Sequence, residues 1–313
     1  VFGNYRFLLN IIKGNGMQDK EYTAFGPWIY EIDEEHQIPP VFKKHFNQKN
    51  DHTILFKIPV NMERRSLRPG MHMYDYVIGA YPDYVCIMKR NGDDVILKKI
   101  YYSEIAAIEN SIDILRGTFV IYLNSELYCI TYNAVSKDIL DKFAEIVRTN
   151  MEETEVDISD YNKSPSDFNP SIGFNNIYAL LLENIENIRF VAYQHKKRIK
   201  YKTIKILDRV TGFILLPELT EWMMLATPKD IIIVSCGKSI NFRDFPVHKR
   251  SCLHLPIKSI TSISVDYDES YKDVLQYEIV SGNNSFIIKT SAQNSSINEL
   301  NNIFAAIRKL NVK

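Results

Sequence analysis

One arrangement of residues runs through this chain twice, over 53–150 and again over 190–311. Nothing else in the sequence limits the fold as tightly. Pro82 stands before the run DYVCIM, and Pro228 before KDIIIV. The segment SEIAAI at 103–108 matches KSITSI at 258–263, so Ile105 and Ile108 answer to Ile260 and Ile263. The hairpin FVIYLNSELYCITY has its counterpart in YEIVSGNNSFIIKT, with Gly282 and Asn283 at the turn. Leu140, Phe143, Val147 and Arg148 then correspond to Leu300, Ile303, Ile307 and Arg308. Four matches in one order indicate a duplicated unit, and the separation widens along the chain, which puts longer loops in the second copy.

Each copy is predicted to be strands closed by one helix. In the first, strands are expected at 53–59, 74–80, 84–90 and 95–100, with Pro82-Asp83 and Asn91-Gly92 as turns. A short element at 103–109 precedes strands at 118–123 and 127–132. The period then changes: Ile139, Leu140, Phe143, Ile146 and Val147 recur at three-and-four spacing, the mark of an amphipathic helix, with Ser136 as its expected N-cap. Residues 151–173 carry six acidic residues and two prolines and read as a linker or long loop. A second short helix is expected over 174–189. The division is therefore an N-terminal extension at 1–52, a first domain at 53–150, an acidic linker with its helix at 151–189, and a second domain at 190–313. The extension, with its aromatics and Pro39-Pro40, either packs on the first unit or forms a small subdomain.

Seven short antiparallel strands leave the ends of a half-open barrel exposed, and an amphipathic helix that plugs one end buries its own stripe. Strands followed by one terminal helix, the SEIAAIE and KSITSIS elements, and closing helices at 147–149 and 307–309 together resemble the pleckstrin-homology-like (PH-like) fold, in particular the small PH-like domains of bacterial proteins. The resemblance covers roughly 53–150 and 190–311. It implies an α+β, mainly β fold class: two PH-like half-open barrels, each closed by a C-terminal helix. Members of that family are mainly binding or scaffolding modules, some at membranes, without catalysis in the PH-like domain itself.

Composition narrows the classes further. The 38 basic and 38 acidic side chains give a formal net charge of +0, which argues against a whole-molecule nucleic-acid binder. No apolar stretch reaches the ~20 residues needed to cross a bilayer. The first residues, VFGNYRFLLNIIKG, are interrupted by Arg6 and Lys13 and lack the layout of a signal peptide. The chain starts at Val1, which leaves a removed upstream segment open. Four cysteines with no C-x-x-C pair suit a reducing setting, and the expected location is the cytoplasm, with a peripheral membrane site as the alternative.

The sequence holds no G-x-S-x-G elbow, phosphate-binding loop or H-E-x-x-H pair, so neither catalytic residues nor a cofactor are expected. Cys236, His248, Cys252 and His254 carry zinc-type donors, but their spacing fits no standard module and packing is preferred. Asp33, Glu34, Glu35 and His36 are adjacent and read as a solvated charged loop. The stronger candidate is a basic stretch. Between Arg189 and Arg209 there are eight Lys/Arg residues against one acid, and HKKRIKYKTIK alternates like a strand with one basic face. The expected anion-binding surface is Lys196, Lys197, Arg198, Lys200 and Lys202, with Arg64, Arg65 and Arg68 at the related place in the first copy. The competing explanation is an edge strand guarded by lysines. The aromatic stretch at 71–81 offers a groove for a peptide added as a strand. The reading is thus a non-enzymatic tandem PH-like binding or scaffold protein for a protein or peptide partner, or for another copy of itself. The alternatives are a sensor of anionic membrane lipid and an enzyme with a site between the two domains.

Overall fold

A computed structural model of the chain describes residues 28–46, 51–62, 64–66, 68, 70–151, 155–156, 158, 169–203, 217–242 and 248–311. The fold is α+β and mainly β, with antiparallel sheets and four α-helices among the described residues. No helix among them is long and apolar enough to cross a membrane. The chain packs as two compact units. One comprises 1–102, 115–117 and 131–147, the other 103–114, 118–130 and 148–313.

The first unit is built on a five-stranded sheet whose strands lie side by side in chain order: β1 (Tyr30–Glu31), β2 (Ile54–Pro59), β3 (Tyr74–Ala80), β4 (Tyr84–Asn91) and β5 (Asp94–Tyr101). The β1 strand pairs Tyr30 with Lys57, and Phe42 of the short helix α1 (Pro40–Lys43) is fully buried with Leu55, Val77 and Met88. Residues 28–46 therefore pack on this unit rather than forming a subdomain. Lys57 is buried in the process, but its Nζ donates to the Gln37 carbonyl at 3.0 Å and lies 4.5 Å from the centre of the Tyr74 ring. Asn91 pairs with Asp94, so the β4–β5 turn residues are Gly92 and Asp93, one place later than the Asn-Gly motif suggests. Gly92 takes φ +64°, which glycine adopts without strain. The helix α2 (Lys137–Met151) buries Leu140, Phe143 and Val147, and the Phe143 ring meets Phe56 edge-on at 5.2 Å. Ser136 is not its N-cap. A 3-10 turn over Ala134–Ser136, capped by the Asn133 side chain, leads into the helix, and Ser136 Oγ accepts from the Ile29 N–H instead.

The second unit takes in β6 (Ile105–Asp113) and most of β7 (Arg116–Leu123) and β8 (Leu127–Asn133). The following strands are β9 (Arg189–Gln194), β10 (Lys197–Arg198), β11 (Lys200–Tyr201), β12 (Pro217–Leu219), β13 (Trp222–Ala226), β14 (Asp230–Cys236), β15 (Ile240–Phe242), β16 (Lys249–Pro256), β17 (Ile260–Tyr267), β18 (Tyr271–Lys272), β19 (Val274–Ser281) and β20 (Asn284–Ser291). Its main sheet runs β8-β7-β6-β16-β14-β13-β9, and a three-stranded sheet runs β17-β19-β20. The segments expected as short elements are each a 3-10 turn followed by a long strand: Tyr102–Glu104 before β6, and Ile257–Ser259 before β17. Helix α4 (Ile297–Asn311) buries Leu300, Ile303, Phe304 and Ile307 in the same core as Tyr277, Ile279 and Trp222.

Element order repeats along the chain. Strands β2 to β5, then β6 to β8, then α2 are followed, after α3, by β9, β13, β14 and β16, then β17, β19 and β20, then α4, with the short strands β10 to β12, β15 and β18 inserted in the second series. The part expected as linker is more ordered than its composition suggests. Val156 and Ile158 are buried in the second unit's core, and the Val156 N–H donates to the Pro228 carbonyl at 2.6 Å. Helix α3 (Ile172–Asn184) ends earlier than expected, because Ile185 turns extended and Ile185 and Ile188 enter a core with Phe174 and Phe190. The closing-helix packing has a direct check. Phe143→Ala, which empties a fully buried site, should cost about 3–5 kcal/mol, read as a lower urea midpoint at unchanged slope.

Candidate functional site

The β5 strand has one strand neighbour among the described residues, β4. A strand paired on one side presents unpaired backbone N–H and C=O groups along the other, a template for a further strand. Register places Leu97 opposite Met88 and Lys99 opposite Cys86, so these four share one face of the sheet. Ile96, Lys98 and Ile100 lie on the other face, by the alternation of a strand. Ile96 and Leu97 are 56% and 41% exposed, unusual for large aliphatic side chains in mid-strand. The strand's start is tied down. Lys44, which follows α1, donates to Asp94 Oδ1 at 2.8 Å, and this bond first and foremost draws the Asp94 carboxyl down to about 2.

Beside this edge lies a recess of about 260 Å³ lined by His45, Phe46, Asp51, Tyr81, Tyr84, Cys86, Met88, Leu97 and Lys99. Tyr81 and Tyr84 stack with ring centres 4.8 Å apart, and Lys99 Nζ lies 4.7 Å from the centre of the Tyr84 ring. Burial, then the nearby Cys86 and Tyr84, pushes the Tyr81 hydroxyl up to about 12. Burial also raises the Cys86 thiol, against the opposing pull of Lys99. Both groups are therefore neutral near pH 7. Phe46, Tyr81, Tyr84, Met88 and Leu97 give the wall aromatic and apolar surface, suited to binding an apolar or aromatic side chain.

A second cluster is buried in the second unit. Asp230, fully buried at the start of β14, accepts from Thr227 Oγ1. Its carboxylate lies 3.3 Å from His254 Nδ1 and 3.5 Å from Arg148 of α2. His254 Nε2 in turn lies 3.4 Å from Cys252 Sγ. Burial alone favours the uncharged forms, but His254 and Arg148 hold the Asp230 carboxyl low. Burial likewise opposes the charged imidazole, but Cys252 and Asp230 outweigh it and hold His254 protonated. Two cations on one carboxylate form a structural tie. Among the described residues no group of three or more metal-binding side chains converges, and His248 is exposed, away from the pair Cys252–His254.

The basic stretch is not one strand. Lys197–Arg198 pairs with β12, Lys200–Tyr201 pairs with β18, and the two are separated at Ile199. Lys196, Lys197, Arg198, Lys200 and Lys202 are all exposed. Buried Glu218 takes Lys196 at 2.9 Å and Arg198 at 3.9 Å, while Lys197 donates to Ser291 Oγ and Gln293 Oε1. Lys205 and Arg209 lie outside the described residues, as does the side chain of Arg64. Arg65 and Arg68 are exposed in the first unit. Asp33 caps a turn through the N–H groups of Glu35 and His36, and the His36 bond chiefly lowers its carboxyl. The edge residues Ile96 and Leu97 escaped sequence reasoning because VILKKI reads as an ordinary half-buried strand. Asp230 did carry a signal, an acid opening the apolar run IIIV.

No known family model matches the chain, and no curated protein matches it.

The buried tie sets a pH dependence with two signs. The His254 contribution is complete below its ordinary value of 6.5 and is lost as pH rises above it toward the raised folded-state value. The Asp230 contribution is complete above its ordinary 3.8 and is lost as pH falls through the lowered value. Asp230→Asn should cost about 3–5 kcal/mol at neutral pH, because it strands two buried cations. It should also flatten the fall in melting temperature on the alkaline side, measured by calorimetry from pH 6 to 10.

Proposed function

We propose that the chain is a non-enzymatic binding or scaffold protein of two PH-like halves, and that it takes an extended protein segment on the β5 edge. The observation that carries this reading is the unequal treatment of two corresponding strands. Each runs eight residues, and each leads into a 3-10 turn and a further strand. One of them, β16, is covered on its outer side by β6; the other, β5, has β4 alone among the described residues. The recess beside β5 supplies a place for a side chain of the added strand, so the backbone gives affinity and the aromatic wall gives choice.

The groups lining the recess also favour binding over chemistry. Its tyrosine and thiol are tuned away from neutral pH, the opposite of what a general base or a nucleophile needs. An anionic-lipid surface is supported less well, since Lys196 and Arg198 lean on Glu218 and Lys197 on neutral partners.

A library of displayed random short peptides, panned on the full chain, tests the proposal. Enriched peptides should alternate apolar residues, slow hydrogen exchange across 94–101, and lose about tenfold or more in affinity with Leu97→Lys. Peptides that bind elsewhere, or none at all, would contradict it. Binding to acidic vesicles that falls with Lys200→Ala and Lys202→Ala would favour the lipid surface instead.

A further inference from the structure

Several strands are paired on one side alone among the described residues, and two of them, β5 and β17, are complementary. Within the chain, β6 covers β16 antiparallel through six pairs, Lys249↔Asp113 to His254↔Ile108. In the repeat, β6 corresponds to β17, and β16 to β5, without a gap. Tyr101, the 3-10 turn Tyr102–Glu104 and Ile105 stand where Pro256, Ile257–Ser259 and Ile260 stand in the second copy. The two strands left over from this pairing are thus β5 and β17. The latter is the edge of its sheet, bonded to β19 alone among the described residues.

We infer that β17 of one chain adds to β5 of a second copy in the way β6 adds to β16, and that the protein assembles head to tail. This rests on the reading of β5 as a docking edge and names its partner. Transposed onto these strands, the internal register sets Leu97 opposite Val265, Val95 opposite Tyr267 and Ile96 opposite Asp266. Val265 and Tyr267 are 39% and 65% exposed, and the pair Leu97–Val265 would bring two uncovered apolar side chains together, while Tyr267 would lie over the buried Val95. The transposed ladder ends at Ile263, where the Arg308 guanidinium already bonds the Ile263 carbonyl at 2.6 and 3.1 Å.

Lys98 and Lys99 sit mid-way along β5, so two β5 strands in antiparallel contact set lysine near lysine, whereas the transposed register sets Lys98 opposite Ser264. At the other end it sets Asp94 opposite Asp268, two acids each already held by a lysine, Lys44 and Lys289. An interface made of two different edges is heterologous, so growth continues until a ring closes or a filament forms.

Sedimentation of the full chain over a range of concentrations tests this. The wild type should form species beyond the dimer as concentration rises. Leu97→Lys and Val265→Lys should each reduce it to monomer, with melting temperatures unchanged because both sites are exposed. An equimolar mixture of the two variants should give a dimer and nothing larger, since one intact β5 and one intact β17 remain. Persistent oligomers in either variant alone, or monomer at every concentration, would overturn the inference. So would protection, in dilute monomer, of the outward-facing β5 amides that β4 does not bond. If peptides from the display experiment protect β5 while the chain stays monomeric, the docking edge stands and the second copy is excluded. If neither occurs, both fail.

Discussion

The ladder between β6 and β16 is the contact on which the second unit depends. It joins β6, β7 and β8 to β16, β14, β13 and β9 in one seven-stranded sheet, and so removes two edges that would otherwise stand open. Its middle is bonded on the side-chain level too. Ser251 Oγ donates to Glu109 Oε1 at 2.5 Å, and the Tyr122 hydroxyl donates to Glu109 Oε2 at 2.7 Å. Glu109 is thereby held by two hydroxyls from neighbouring strands, which pins the register of a pairing that a slip of one residue would turn inside out.

The end of that ladder coincides with the buried charges. His254, opposite Ile108, is the last paired residue of β16, and its imidazole meets the Asp230 carboxylate, which also receives Arg148. A buried ion cluster of this kind is weak evidence for net stability, because desolvation cancels much of the attraction. Its directional demand is stronger: the cluster is satisfied only when α2, β14 and β16 are correctly placed. The corresponding positions in the first copy are Tyr84 and Lys99, which carry no such pair and line the recess beside β5. The same strand position is thus locked in one copy and left accessible in the other.

Much of this was legible in the residues. The alternation of strands and the three-and-four spacing around Phe143 located β2 to β5, β7, β8 and α2, because burial on one face imposes those periods. Three features were not legible, each for a physical reason. The helix start at Ser136 was displaced by a 3-10 turn that Asn133 caps. The apolar run after Asn184 left the helix through an extended Ile185 and a turn at Glu186–Asn187, because Ile185 and Ile188 pack against a sheet, which local propensity does not foresee. The basic stretch looked like one strand, but its halves pair with different partners, β12 and β18, chosen by tertiary packing. The candidate site was the least visible, since an open edge is a property of which strands find partners and not of any residue type.

The β6–β16 ladder can be tested by cross-linking neighbouring pairs. Asn110→Cys faces the native Cys252, and Ser111→Cys with Ser251→Cys forms the next pair along. Successive antiparallel pairs alternate between close and wide spacing, so one of the two sits at the geometry a disulfide accepts. Mild oxidation of the folded chain should yield an intrachain Cys–Cys peptide in one of these variants, identified by mass spectrometry without reduction. A folded chain that closes neither pair would contradict the ladder, and with it the shared blueprint of the two copies.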